Sequence, residues 1–300
     1  MRAVVRVERM DDQIHGVDLT VQNHVLAHAR ESHDLVLMAH PRAAAVRRAR
    51  YPAELSMAKL DTTGQGPRGH GQPHQLPLEV QLRDEATLQN FLAAPAVQPL
   101  IEALQRQLEP SGEAMIFLHG AAGCGKTHLL QAACHLAGTR ALYLPLADLG
   151  DYSPQEVLQG VDALDLVCLD DVHSVSGDER WELALFNLYN RALESNCRLL
   201  MSGNAPPLSL PVKLADLRSR LAWGIVYQLP RADDEGKSAI LQFRAARRGL
   251  SLSDEVARYI VSRAPRALEP LLNLLETLDK ASLAEQRALS IPFVKRALGW

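Results

Sequence analysis

The chain has 300 residues, enough for one large or two small domains, with 47% hydrophobic and 22% charged residues, an ordinary globular balance. A formal charge of -3 excludes a strongly basic nucleic-acid coat and leaves only a local basic groove. No apolar run reaches the ~18 residues that span a bilayer, and the opening MRAVVRVERMDD has charges throughout with no apolar core of a signal peptide, so a cytoplasmic protein without membrane contact is expected.

Residues 1–74 hold seven of the 11 histidines, and only Tyr51 among the aromatic residues precedes Phe91. A segment so poor in aromatics has little with which to build a core, and it ends in the Gly/Pro/His stretch DTTGQGPRGHGQPH, so 1–74 is expected to be a disordered extension. A native start at Met57 or later is a further expectation, which a peptide from residues 2–50 in the endogenous protein would refute. His24, His28 and His33 share a helical spacing, but no cysteine or carboxylate pattern completes a metal site there. Cys124, Cys134, Cys168 and Cys197 lack paired spacing, so reduced thiols are expected.

From residue 96 helix and strand alternate. A helix over 96–109 stops at Pro110-Ser111-Gly112. AMIFLHG (114–120) reads as a buried strand, followed by a helix over 125–137 and the strand-like RALYLPL (140–146). Ser153-Pro154 is an N-cap and first-turn pair ahead of a short helix over 155–161. LDLVCLDD (164–171) is an unbroken apolar run ending in acids, the mark of a parallel strand buried on both faces. Trp181, Leu185, Leu188 and Ala192 recur at helical spacing within 177–195. CRLLMSG (197–203) and GIVYQL (224–229) supply two more strands, and helices come after them over 233–248, 253–263, 267–284 and 291–298. This order predicts an α/β fold: a parallel five-stranded sheet over 81–230 and a small all-helical lid over 231–300.

Between the first strand and its helix stands Gly120-Ala121-Ala122-Gly123-Cys124-Gly125-Lys126-Thr127, a G-x-x-x-x-G-K-[ST] phosphate-binding loop in the context that the motif requires. Glycines let successive N–H groups turn toward phosphate oxygens, and the helix N-terminus adds its positive end. Lys126 reaches the β- and γ-phosphates and the Thr127 hydroxyl faces Mg²⁺. Asp170, at the tip of the apolar strand, is the Mg²⁺-side acid, and Asp171 is placed to orient or deprotonate an attacking water. Asn204 follows the fourth strand, where it senses a γ-phosphate or simply makes a turn. Arg218 and Arg220 precede the fifth strand, as a trans-acting finger or as local structural cations. Arg266 is placed at the start of a lid helix. Cys124 needs only to be small.

GAAGCGKTHLLQAA, VCLDDVHSVSG, LLMSGNAPP and LRSRLAWG, in this order, resemble the AAA+ module of the bacterial replication initiator DnaA over about 76–300. GDERWELALFNLYNRALES, DKASLAEQRALSIPFVKRAL and QLPLEVQLRDEATLQNFL are more similar to the DnaA-related regulatory inactivators, the Hda family. No basic recognition helix follows the lid in this sequence, so no sequence-specific DNA binding is expected. The hexapeptide 75–80 resembles a sliding-clamp-binding peptide, in which Gln75 meets the rim of an apolar groove while Leu76 and Leu78 enter it. The usual terminal aromatic is absent and Val80 stands near its place.

The resemblance assigns Gly120, Gly123, Cys124, Gly125, Lys126 and Thr127 to the nucleotide loop, Asp170 and Asp171 to the strand-end acids, Asn204 to the first sensor, Arg220 to the arginine finger and Arg266 to the lid sensor. Phe91–Val97 lacks a glycine that DnaA has there, so no adenine contact is named. The resemblance implies a regulator that binds ADP or ATP with Mg²⁺, is tethered to the sliding clamp (the β subunit of DNA polymerase III), and stimulates hydrolysis of DnaA-bound ATP. Self-association is open. The alternative is a DnaA-like initiator paralogue or helicase loader that turns over its own ATP on single-stranded DNA.

Overall fold

The computed structural model describes residues 3–5, 78–80 and 82–300. The expectations for the rest of 1–74, including His24, His28 and His33, and for Gln75 and Leu76, lie outside the described residues. Ala3–Val5 (β1) pairs antiparallel with Leu78–Val80 (β2), so the backbone carrying Leu78 and Val80 is extended.

The main sheet contains Met115–His119 (β3), Ala141–Pro145 (β4), Leu166–Asp170 (β5), Arg198–Gly203 (β6) and Ile225–Gln228 (β7), all parallel, in the order β4-β5-β6-β3-β7. The three inner strands read as near-continuous apolar runs because both of their faces are covered. β7 is an edge strand, and its Ile225 and Val226 are exposed. Every strand runs in the same direction, so the loops after β3, β5 and β6 gather at one edge of the sheet, where ligands of open α/β folds bind.

The helices around the sheet are Gln98–Arg106 (α1), Lys126–Ala137 (α2), Leu146–Leu149 (α3), Pro154–Val157 (α4), Glu179–Ser195 (α5) and Ala215–Leu221 (α6). Helix α5 begins at Asp178, whose carboxylate accepts from the backbone N–H of Arg180 and Trp181. It buries the stripe Trp181, Leu185, Leu188 and Ala192, and the Trp181 indole donates to the Gly150 carbonyl at 3.0 Å. The helix expected over 155–161 is one turn, Pro154–Val157. The chain leaves it at Leu158 and turns through the left-handed Gly160 into the 3-10 turn Val161–Ala163.

Four helices follow the sheet: Asp234–Arg247 (α7), Asp254–Arg263 (α8), Leu268–Glu285 (α9) and Ile291–Leu298 (α10). They pack around their own core of Leu241, Ala245, Val256, Ala257, Ile260, Leu271, Leu275, Leu278, Phe293 and Val294. The hydrophobic core of the sheet runs separately, from Leu82 to Leu229. Asp233, Ser253 and Ser290 cap three of these helices with side-chain oxygens.

Segment 82–91 joins both cores. Leu82 is buried against the sheet layer, and the Arg83 backbone N–H donates to Gln131 Oε1 at 3.1 Å. Glu85 pairs with Arg244 of α7 and with Arg248, its C-cap. Arg244 also donates to the Asn90 carbonyl at 3.1 Å, and Arg83 reaches Glu269 of α9 at 2.8 Å. Among the described residues no helix is long and apolar enough to cross a membrane.

Candidate nucleotide site

The loop after β3 is built around glycines, and at two of them a side chain would collide with its neighbours. A side chain at Gly120 would stand 2.5 Å from the Leu229 carbonyl oxygen, and one at Gly125 would stand 2.9 Å from the Phe91 ring. Gly123 and Gly125 have φ of +75° and +101°, left-handed values that glycine adopts freely. Gly125 is the N-cap of α2, so Lys126 and Thr127 occupy its first turn, where unsatisfied N–H groups point out of the helix. A side chain at Gly123 would lie 3.9 Å from the Leu268 backbone nitrogen, which sets the loop against the N-terminus of lid helix α9.

Lys126 is only 7% exposed. Its ammonium donates to the carbonyls of Gly120, at 2.9 Å, and Ala121, at 3.3 Å, which folds the charge into the loop. A buried cation, the first-turn N–H groups of α2 and a glycine-rich loop form a donor set suited to phosphate oxygens. The positive charge is felt by neighbours: burial first, and then Lys126, lower the pKa of His119 at the end of β3.

Asp170 ends β5 at 2% exposure. Tyr143 of β4 donates its hydroxyl to Oδ2 at 2.8 Å, and Ser202 of β6 donates to Oδ1. The Asp171 N–H is shared, at 3.2 Å to Asp170 Oδ1 and 2.9 Å to Ser202 Oγ. Asp170 is thus a buried carboxylate fixed from both neighbouring strands, the arrangement that an acid facing a hydrated divalent ion requires. Burial beside Asp170 pushes the Tyr143 hydroxyl well above its ordinary range.

Asp171 takes φ 54° and ψ 49°, a left-handed conformation uncommon outside glycine and the Asn/Asp pair. Its carboxylate lies 3.7 Å from His173 Nδ1. Burial, with Asp170 next in weight, raises the Asp171 pKa, and His173 and Lys126 partly offset the rise.

Asn204 directly follows β6 at the same sheet edge and is exposed. Arg266 does not begin a helix, contrary to the sequence expectation. It lies in the bend after Pro265, and α9 starts at Leu268 with Ala267 as N-cap, because proline cannot continue α8 and the chain needs two residues to turn. It stands two residues before Leu268, whose backbone nitrogen faces Gly123. Cys124 is half-buried in the loop, and the four cysteines are free.

Arg220 is elsewhere. It lines an open concavity of about 650 Å³ with Leu208, Ala215, Arg218, Ser219, Ala222 and Trp223. No loop residue or strand-end acid lines that concavity. Tyr143, Ser202, Phe91 and the Glu85 cluster are not identifiable from local pattern. The only available signal for Ser202 is its position one residue beyond an apolar run.

Known proteins agree with this architecture. The family model "Hda, lid domain" matches residues 234–298. The model "Bacterial DnaA ATPAse domain" matches residues 148–228. A curated but uncharacterized Haemophilus influenzae protein is 43% identical over 228 residues, which are 75% of this chain and 98% of that protein. The chain belongs to the Hda/DnaA-related AAA+ family. Its structure is similar to that of domain III of the Thermotoga maritima initiator DnaA, with TM-score 0.61 and 22% identity over 73% of this chain and 98% of that one. It is also similar to AMPPCP-bound DnaA from Aquifex aeolicus, with TM-score 0.56 and 26% identity over 68% of this chain and 70% of that one. The five-stranded sheet and helical lid of this AAA+ protein are those of the family fold.

Proposed function

We propose that this DnaA-related AAA+ protein is a nucleotide-bound negative regulator of chromosomal replication initiation. It binds ADP or ATP through Gly120, Gly123, Cys124, Gly125, Lys126 and Thr127, with Asn204 and Arg266 approaching the phosphates from the sheet and lid sides. Thr127 and Asp170 hold Mg²⁺ through the nucleotide. The bound ion supplies positive charge against the phosphates, while Tyr143 and Ser202 keep Asp170 oriented. The module comprises an α/β part over 81–230 and a lid over 231–300.

Two acting surfaces complete the reading. Gln75, Leu76, Leu78 and Val80 dock on the sliding clamp, which raises the local concentration near newly replicated DNA. Arg220 acts in trans on ATP held by DnaA, and Asp171 serves any turnover at the protein's own site. The observation that carries the proposal is the location of Arg220. It sits on a concavity that its own loop does not line, next to Arg218 and with no acid among the lining residues, so its charge is disposed toward a second molecule. A finger acting in trans is worth about 10³–10⁵ in rate where it operates.

The test is hydrolysis of radiolabelled ATP bound to DnaA, with clamp loaded on DNA, comparing the wild-type protein with Arg220→Ala. Rapid, clamp-dependent hydrolysis that the variant loses supports an arginine-finger inactivator. No stimulation by the wild-type protein discards it in favour of an initiator paralogue or helicase loader acting on single-stranded DNA.

A further inference from the structure

Arg220 is held differently from most shielded arginines; buried Arg198, for example, donates to the Glu109 and Pro110 carbonyls. Arg191, Arg244 and Arg248 each pair with a carboxylate. Among the described residues Arg220 has no such partner, and its guanidinium lies over two aromatic rings, 5.4 Å from the Tyr189 centroid and 5.2 Å from that of Trp223. Tyr189 belongs to α5 and is 3% exposed, so it forms a fixed floor. Trp223 is 68% exposed and forms an outer wall. The Trp223 N–H bonds the Arg220 carbonyl at 3.1 Å, so the turn that ends α6 brings ring and guanidinium together.

A carboxylate partner engages the N–H edge of a guanidinium, and that pair must break before another anion can bind. An aromatic ring attracts the cation without neutralising its charge, so no ion pair has to break before an anion binds. Two rings also restrict rotation of a side chain that otherwise samples many rotamers, so less freedom is lost when an anion arrives.

We propose that Tyr189 and Trp223 are positioning residues that hold the Arg220 guanidinium between two rings, without neutralising it, and keep it available to an anionic group on a partner molecule. The inference rests on the arginine-finger reading above and adds the residues that make the finger effective.

The experiment titrates the full-length protein against ATP-loaded DnaA with DNA-loaded clamp, comparing wild type, Arg220→Ala, Trp223→Ala, Trp223→Phe and Tyr189→Phe. Trp223→Ala is expected to lower the maximal stimulated rate about two- to fivefold, the scale of one exposed cation–π contact. The half-saturating concentration, nucleotide content and unfolding midpoint stay near wild type. Trp223→Phe and Tyr189→Phe, which keep a ring, recover most of the rate. Trp223→Ala added to Arg220→Ala causes no further loss. A Trp223→Ala protein with the wild-type maximal rate, or one altered only in half-saturating concentration, overturns the inference while an inactive Arg220→Ala leaves the finger reading intact. Full stimulation by Arg220→Ala overturns both.

Discussion

The Tyr143 hydroxyl reaches Asp170 diagonally: Pro145, not Tyr143, is the in-register partner of Asp170 across the β4–β5 pair, and Tyr143 lies opposite Cys168. Residues two apart on a strand share a face, so a long side chain can span that step to the strand-end carboxylate. Asp170 is therefore held by a group from the edge strand as well as by its neighbour Ser202 on β6.

Tyr143→Phe removes one donor from a buried carboxylate. We expect a loss of about 1–3 kcal/mol in stability, the cost of leaving such a group short of a partner, measured by urea unfolding. Nucleotide affinity with Mg²⁺ present is expected to fall more than affinity in EDTA. Equal losses in both conditions would mean that Tyr143 acts on the fold alone.

Lys126→Ala tests the loop. One charge-assisted contact is worth about 1.5–3 kcal/mol, so nucleotide binding should weaken roughly 10- to 100-fold. Isothermal titration with ADP and ATP reads this directly. The loop should also open, because the Gly120 and Ala121 carbonyls lose the ammonium that draws them together.

Glu182 is a buried acid on α5 whose carboxylate accepts from the backbone N–H groups of Gly177, Lys213 and Leu214. It fixes the approach to α6, and hence the base of Arg220. Glu182→Ala should cost about 3 kcal/mol, since three donors lose their acceptor together. Glu182→Gln, which keeps one carbonyl oxygen, should recover part of that. Thermal unfolding and DnaA-dependent hydrolysis report the two consequences separately.

His128 gives a pH signature. Its Nε2 lies 2.9 Å from the Thr87 carbonyl, and burial holds its pKa below the ordinary 6.5. The folded state thus binds the proton less readily than the unfolded chain. Stability from this site is complete above about 6.5 and falls as pH drops through the depressed folded value. Unfolding midpoints measured from pH 8 to pH 5 should decline, and His128→Gln should flatten part of that decline. An unchanged slope would assign the acid sensitivity elsewhere.

The sheet was legible because its strands are short apolar runs bounded by turns, and the phosphate loop because its spacing and flanks are specific. The Ser153-Pro154 start of α4 was readable for the same local reason. The features that escaped depend on distant partners. Glu182 interrupts an amphipathic pattern as any solvated acid does, and only the fold brings Lys213 and Leu214 to it. Tyr143 and Ser202 become partners of Asp170 through strand register, which no single segment encodes. Segment 82–91 has no periodicity, yet it carries Glu85 to Arg244 of α7 and to its C-cap Arg248. Arg266 differs from expectation because the chain bends for two further residues after Pro265 before α9 begins.

Segment 82–91 also defines a load path. Leu82 is seated against the sheet layer, Glu85 is gripped by Arg244 and Arg248, and Arg83 is tied to both Gln131 and Glu269. The Phe91 ring rests on Gly125. Tension that reaches residues 82–91 therefore divides between lid and sheet, and the far end of the segment rests on the phosphate loop at Gly125.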